Sequence, residues 1–344
     1  MCGRAARALA VNMLKFPANR RLDIILAGRA GIDFNAVDLN CRFADVGSYT
    51  KSVGGSPANI AQGLRKLGLR VGFFGKVSGD GMGDYVIKTL QQAGIDTTGL
   101  LQDQTGARTC LAITEVQSPE NSGSFLYRER TADLLLAPSE INASFIRAAA
   151  AVLISGTALS QSPSREAMLQ LVDVAREQDV RVLFDLDYRP CGWQNSDETA
   201  FYYGLAAAKS DLVIGNREEF AAAGWPDATD TDEARKMTAH YFQQGVRLVV
   251  VKDGAKGSTA YASSGEVVHC GVFPVQIRKT FGSGDSYAAG FLERLVHGHA
   301  LKEAMTYGTA CAAIVLSGAV SCAEAMPTLA QVEHYLARHQ ISDS

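Results

Sequence analysis

The sequence predicts an α/β fold: a mostly parallel central sheet with helices on both faces, carrying a small β-sheet lid. Three observations carry this expectation. Short β-rich runs recur between amphipathic segments, which is the rhythm of strands joined by crossover helices. Two stretches break the rhythm with strand-like runs that have no helix between them. The chain is also long enough, at 344 residues with 47% apolar and 20% charged side chains, for one large body with an appendage.

Taken in order, residues 1–21 are rich in Ala and Arg and contain no acid. They could be read as a targeting peptide, but read more readily as a disordered N-terminal extension, or as sequence upstream of a start at Met13. The domain is expected over 22–335, with a C-terminal tail at 336–344. Its first strand is Leu22–Gly28, followed by the loop Gly28-Arg29-Ala30-Gly31 and then Asp33. Residues 34–53 and about 107–130 are the arrhythmic stretches. The alternating runs Thr109–Glu115 and Ser124–Arg128 mark them as lid strands inserted in the domain. Further strands are expected at Val71–Gly75, Ala151–Ser155, Arg181–Asp187, Asp211–Gly215 and Arg247–Lys252. After Ser164, the residues Ala167, Met168, Leu171, Val172 and Ala175 fall on one helical face. Asp230 with Glu233 forms a capping-box pattern for a helix whose buried stripe is Ala234, Met237 and Tyr241.

Composition narrows the function. A formal charge of −3 gives no basic footprint for nucleic acid or anionic membrane. No apolar run approaches the ~20 residues that span a bilayer. The seven cysteines are scattered and form no C-x-x-C pair, which fits a reducing cytoplasm without disulfides or structural zinc. Small molecules are therefore the expected partners.

The most informative segment is Lys279-Thr280-Phe281-Gly282-Ser283-Gly284-Asp285, which leads into a helix-compatible run. Small residues at a helix N-terminus let successive amides point into one concavity, where the helix dipole also favours negative charge. Gly282, Ser283 and Gly284 are thus candidates for an anion hole. Asp285 at its edge could accept a proton from an attacking hydroxyl. Alone, the same residues would serve equally as a capped glycine turn. Gly54-Gly55-Ser56-Pro57-Ala58-Asn59 opens a second loop and helix. Gly54 and Gly55 would admit a substrate close to the backbone, and Asn59 supplies both a donor and an acceptor for hydroxyls. Asp33 sits after the first strand as a hydroxyl-binding carboxylate would, although a turn residue could stand there too.

The pairing of G-G-x-x-x-N near the start with T-x-G-x-G-D near the end resembles the two signatures of the ribokinase-like, phosphofructokinase-B type carbohydrate kinases. The resemblance runs from about residue 22 to about 330. It implies a ribokinase-like fold, ATP and Mg²⁺ as cofactors, and a sugar acceptor. Asn216-Arg217-Glu218-Glu219 matches that family's N-x-x-E element, so Asn216 and Glu219 would organise magnesium and phosphates through water. Lys252-Asp253-Gly254-Ala255-Lys256-Gly257 is similar to its nucleotide-binding loop, with Lys252, Gly254 and Gly257 beside ATP. Lys279 departs from the Asp that many relatives use for a monovalent cation, which puts potassium activation in doubt. The edges of the lid sheet suggest a homodimer clasp.

Two arginines point to the acceptor. Arg128 lies in the expected lid and Arg189 at the end of a parallel strand, and converging guanidinium forks suit a carboxylate. Either could instead be structural. The wording of segments 28–34, 124–129, 186–193 and 279–285 resembles the branch of the family that serves myo-inositol catabolism. This implies phosphorylation of the keto acid 5-dehydro-2-deoxy-D-gluconate at its 6-hydroxyl. The 2-dehydro-3-deoxygluconate and fructose branches are the alternatives. A sugar-binding regulator on the same fold is a third, and a dinucleotide oxidoreductase lacks its fingerprint.

Overall fold

The computed structural model describes residues 14–38, 40–118, 121–278, 281–318 and 322–342. The chain enters through β1 (Leu22–Ala27), β2 (Gly31–Ala36) and β3 (Tyr49–Gly54), then α1 (Ser56–Lys66). Next come β4 (Val71–Val77), α2 (Gly81–Gln92), β5 (Asp96–Gln102), β6 (Leu111–Val116) and β7 (Ser122–Tyr127). The middle of the chain runs α3 (Ala143–Arg147), β8 (Ala149–Ser155), α4 (Ser164–Glu177), β9 (Arg181–Asp185), α5 (Ser196–Ala207) and β10 (Leu212–Asn216). After α6 (Arg217–Ala222) and α7 (Thr231–Gln243), the strands β11 (Leu248–Lys252), β12 (Ser258–Ala262) and β13 (Val267–Cys270) complete the large sheet. It is followed by α8 (Ser283–Val296), α9 (Leu301–Ser317), α10 (Cys322–Ala325) and α11 (Leu329–Leu336).

Nine strands form the central sheet in the order β13-β12-β11-β10-β9-β8-β1-β4-β5, parallel except for the antiparallel β12 and β13. Its inner strands are apolar on both faces, as a sheet covered on two sides requires; every residue of β8, Ala149–Ser155, is buried. The period of two sorts β1 between the layers. Ile24 and Leu26 join the core under α1, α8 and α9, while Ile25 and Ala27 face the core under α4, α5 and α7. The helix read after Ser164 is α4, with Ala167, Met168, Leu171, Val172 and Ala175 all buried. In α7 the Asp230 carboxylate accepts from the amides of Asp232 and Glu233. Glu233 itself lies 3.8 Å from Lys236 Nζ rather than closing the expected box.

Strands β2, β3, β6 and β7 form the small second sheet, in the order β3-β2-β6-β7. Both stretches read as lid strands contribute to it, starting at Gly31 rather than 34. Two terminal segments depart from their expected boundaries. Leu14 is buried in the core and the Arg20 guanidinium donates to the carbonyls of Arg147 and Gln178, so the packed body begins before residue 22. At the other end Ser342 bridges Val272 through its amide, so the stretch after Leu336 returns to the body. No helix among the described residues is long and apolar enough to cross a membrane.

The order of the large sheet reverses between β1 and β8, and open α/β sheets bind ligands beyond the carboxyl ends of strands at such a point. Gly28 follows β1 there and Ser155 ends β8. On the same edge the loops after β1 and β9 carry Arg29 and Asp187, and β10 and β11 end in Asn216 and Lys252.

Candidate active site

The turn Phe281–Asp285 lies between two cavities. Phe281, Gly282 and Asp285 line one of about 570 Å³, together with Arg29, Asp33, Gly55, Asn59 and Arg189. Ser283 and Gly284 line another of about 480 Å³, with Lys252, Gly254, Gly257, Phe273 and Tyr287. The first collects the charged and hydrogen-bonding side chains and sits under the small sheet, where Ala112, Thr114, Ser124 and Leu126 cover it. The second is an apolar slot suited to a planar base. Gly282 starts α8 in the left-handed region at φ 78°, which places the first amides of a fourteen-residue helix at the junction.

Asp285 is held from the facing helix. Gly55, at φ 100°, is the N-cap of α1, and a Cβ there would stand 2.6 Å from the Arg29 carbonyl oxygen. Pro57 fits the first turn of α1, and Gly63 lets this helix lie against α8, where a Cβ would approach Ala289 Cβ to 2.8 Å. That approach brings two donors to one carboxylate. Ser56 Oγ donates to Asp285 Oδ1 at 2.9 Å, and Asn59 Nδ2 donates to Asp285 Oδ2 at 2.8 Å. Asn59 Oδ1 is buried with no protein partner, which leaves an acceptor for a ligand hydroxyl. Burial pushes the Asp285 carboxyl up and the Asp187 charge adds to this, against the pull of Asn59, Ser56 and Arg189. An acid raised in this way is the better proton acceptor.

Asp33 projects from β2 into the same cavity. Its carboxyl is pushed up to about 6 by burial, with the Arg29 charge opposing and the Asp285 charge adding. A Cβ at Gly54 would fall 2.0 Å from Asp33 Cγ, so the carboxylate occupies the space that a side chain at 54 would need. Arg189 reaches the cavity while its Nη2 pairs with Asp187 Oδ1 at 2.9 Å and its Nη1 donates to the Tyr188 carbonyl; 44% of its side chain is exposed.

Arg128 is not brought to the cavity. It is buried, with Nε and Nη2 holding Asp133 Oδ2 at 2.8 and 2.7 Å and Nη1 donating to the Thr157 carbonyl at 2.9 Å. Its guanidinium thus ties the base of the small sheet to the loop after β8. Asn216 and Glu219 form a reciprocal capping box at the start of α6: Asn216 Oδ1 accepts from the Glu219 amide at 2.9 Å, and Glu219 Oε2 accepts from the Asn216 amide at 2.6 Å. The same Glu219 oxygen lies 3.9 Å from Lys252 Nζ, and a Cβ at Gly284 would be 3.6 Å from that ammonium. Burial opposes the Lys252 charge, but Glu219 and Asp185 more than offset it and hold the ammonium charged. Lys279 and Thr280 lie outside the described residues.

Besides Ser56, which stood in a quoted segment without a role, two residues were missed at the level of sequence. Asp185 ends β9 buried, with Oδ2 accepting from Ser56 Oγ at 3.2 Å and Oδ1 without a partner. Burial drives its carboxyl upward, with the charges of Glu219, Asp187 and Asp285 adding to this against that of Lys252. The signal available was two acids spaced to one side of a strand end, Asp185 and Asp187. Arg29 is the other; it stood in a quoted segment, between two glycines, without a role.

A base beside a polyol-sized cavity and an amide-lined turn facing a slot for a nucleotide base define a phosphotransferase with a hydroxyl acceptor. The family model described as "pfkB family carbohydrate kinase" matches residues 21–329. The chain belongs to this family and has its ribokinase-like fold. It is 45% identical over 330 residues to the 5-dehydro-2-deoxygluconokinase of Geobacillus kaustophilus, covering 96% of this chain and 98% of that one. The Lacticaseibacillus casei protein of the same name is 44% identical over 327 residues, covering 94% and 98%. Among solved structures, a PfkB protein from Polaromonas sp. JS666 superposes with a TM-score of 0.78 at 26% identity, covering 91% of this chain and 99% of that one.

Proposed function

We propose that this chain transfers the γ-phosphoryl group of ATP to the 6-hydroxyl of 5-dehydro-2-deoxy-D-gluconate. The observation that carries the reading is the turn Phe281–Asp285, whose two sides open on the two cavities with the base on the polar side. The name shared by relatives that match nearly the whole chain supports the substrate.

In this reading Asp285 takes the proton of the 6-hydroxyl as its oxygen attacks the γ-phosphorus in line, and the bond to the leaving ADP oxygen breaks. Ser56 and Asn59 hold the base in place through the step. The amides of Gly282, Ser283 and Gly284 stabilise charge on the transferred group, and Lys252 adds a fixed positive charge on the nucleotide side. Gly254 and Gly257 let the loop after β11 lie close to the nucleotide. Asp33, Gly54, Gly55 and Asn59 form the hydroxyl-binding wall, and Arg189 faces the carboxylate.

Among the described residues no three acids, histidines or cysteines converge as an all-protein metal cage. That suits magnesium, which keeps several waters and binds mainly through phosphate oxygens and one or two carboxylates. The unpartnered Asp185 Oδ1 and the Glu219 carboxylate with Asn216 are the oxygen donors that fit its water shell. When bound with ATP, the ion supplies charge neutralisation on the phosphates.

The test is ADP release by the purified protein across 5-dehydro-2-deoxygluconate, 2-dehydro-3-deoxygluconate and fructose, with the product located by phosphorus NMR. The 5-dehydro acid is expected to give the highest kcat/KM and a 6-phosphate. A preference for fructose, or no ADP release with any acceptor, would overturn the reading.

A further inference from the structure

The polar cavity contains a buried guanidinium that no carboxylate among the described residues meets at ion-pair distance. Arg29 leaves the end of β1 and is 6% exposed. Its Nη1 donates to Cys110 Sγ at 3.3 Å, a weak acceptor, and its Nε is shut from water with no acceptor at all. Among the described residues no carboxylate lies within ion-pair distance of this guanidinium, and the acids that influence it, Asp187 and Asp33, act from further away. Arginine cannot shed its proton to escape such a place. A buried charge without a hydrogen-bonded counter-charge is costly to hold, so a fold that keeps one in a ligand cavity leaves it to be completed by the ligand.

The surroundings fix what completes it. The Arg29 carbonyl packs under Gly55 and its side chain stem passes the same glycine, so the residue is immobilised by the loop that shapes the hydroxyl wall. Across the cavity Arg189 presents a second guanidinium, already half neutralised by Asp187. Arg189 is already held by Asp187, so the unpaired donors of Arg29 are the ones left for a ligand, in a cavity whose hydroxyl-binding groups are Asp33, Asn59 and Asp285.

We propose that Arg29, with Arg189, anchors the carboxylate of the acceptor, and that Arg29 is the residue that makes this site select an acid sugar over a neutral one. The proposal rests on the acid-sugar reading given above and adds the group that enforces it.

The experiment compares wild type, Arg29→Met and Arg29→Lys on two acceptors: 5-dehydro-2-deoxygluconate, and the same molecule with its carboxylate reduced to the alcohol. A charge-assisted bond lost on the acid predicts a fall in kcat/KM of roughly 10–150-fold for Arg29→Met, carried mainly by KM. The loss on the reduced analogue is expected to be much smaller, so the acid-to-alcohol preference collapses. Arg29→Lys keeps the charge without the fork and should fall between. The shift of the melting temperature by ATP serves as the control for folding and should persist in both variants. Equal losses on acid and alcohol, or an unchanged preference in a variant that still responds to ATP, would overturn the role of Arg29 while leaving the kinase reading intact. A wild-type enzyme that prefers the alcohol would overturn both.

Discussion

Replacing Gly54 with alanine tests how the polar cavity is built. Gly54 ends β3 in ordinary extended conformation, so alanine costs little in the backbone. The nearest conflict is with Asp33: the new Cβ would lie 2.0 Å from Cγ, 2.0 Å from Oδ2 and 2.1 Å from Oδ1. Ordinary contact at about 3.4 Å or more requires the carboxylate to retreat by roughly 1.4 Å. A displacement near 1 Å in a positioning group can cost about 10²-fold, and a charge-assisted bond to a hydroxyl is worth ~1.5–3 kcal/mol. Steady-state kinetics of Gly54→Ala should therefore show kcat/KM for the sugar lower by roughly 10–150-fold, with KM for ATP nearly unchanged. Because the whole effect runs through Asp33, Gly54→Ala added to Asp33→Ala should cost little further activity. Near wild-type kinetics in Gly54→Ala, or an additional large loss in the double variant, would refute the placement of Asp33.

Other outcomes follow from the same geometry. Asp33 has its carboxyl raised from 3.8 to about 6, so the folded state holds its proton longer than the unfolded chain; its contribution to stability falls as pH rises between those values. Urea unfolding should show Asp33→Asn gaining on wild type between pH 4 and pH 7, and parallel curves would contradict the shift. Arg128→Met leaves Asp133 buried without its partner and should cost ~3–5 kcal/mol in unfolding free energy while keeping the acid-to-alcohol preference; a lost preference would return Arg128 to the substrate. Lys279, standing where the family resemblance leads one to expect an acid, motivates a rate in potassium equal to that in a bulky organic cation at the same ionic strength. Strong potassium activation would exclude the substitution.

Much of the fold was legible because its signals are local. The parallel strands are apolar runs of five to seven residues, and α4 and α7 show their buried stripes at helical spacing. β5 escaped because it is an edge strand of mixed exposure, with the sequence DTTGLLQ, and pairs only with β4. The glycine turn before Asp285 and the Gly54-Gly55 loop were legible as chemistry for the same reason: each is a contiguous motif with its own backbone demand.

What stayed hidden was the choice of partner between side chains that no local pattern relates. Arg128 and Arg29 look alike in sequence. Arg128 finds Asp133 five residues on, whereas Arg29, among the described residues, donates only to the thiol of Cys110, 81 positions away. Asn59 was expected on sugar hydroxyls; its Oδ1 remains for one, but its amide nitrogen is engaged by a carboxylate 226 positions later, a second task no local pattern announces. Asp185 belongs to the site through Ser56, a contact across 129 positions that no strand pattern announces.

The central claim is that Asp285 accepts the proton of the attacking hydroxyl. It is tested most directly by the turnover of Asp285→Asn, measured as ADP release with saturating 5-dehydro-2-deoxygluconate, alongside its affinity for ATP. Asparagine keeps the shape of the side chain but cannot take the proton, so turnover should fall by ~10²–10⁴ while ATP still binds. A folded Asp285→Asn enzyme that turns over at close to the wild-type rate would contradict the account.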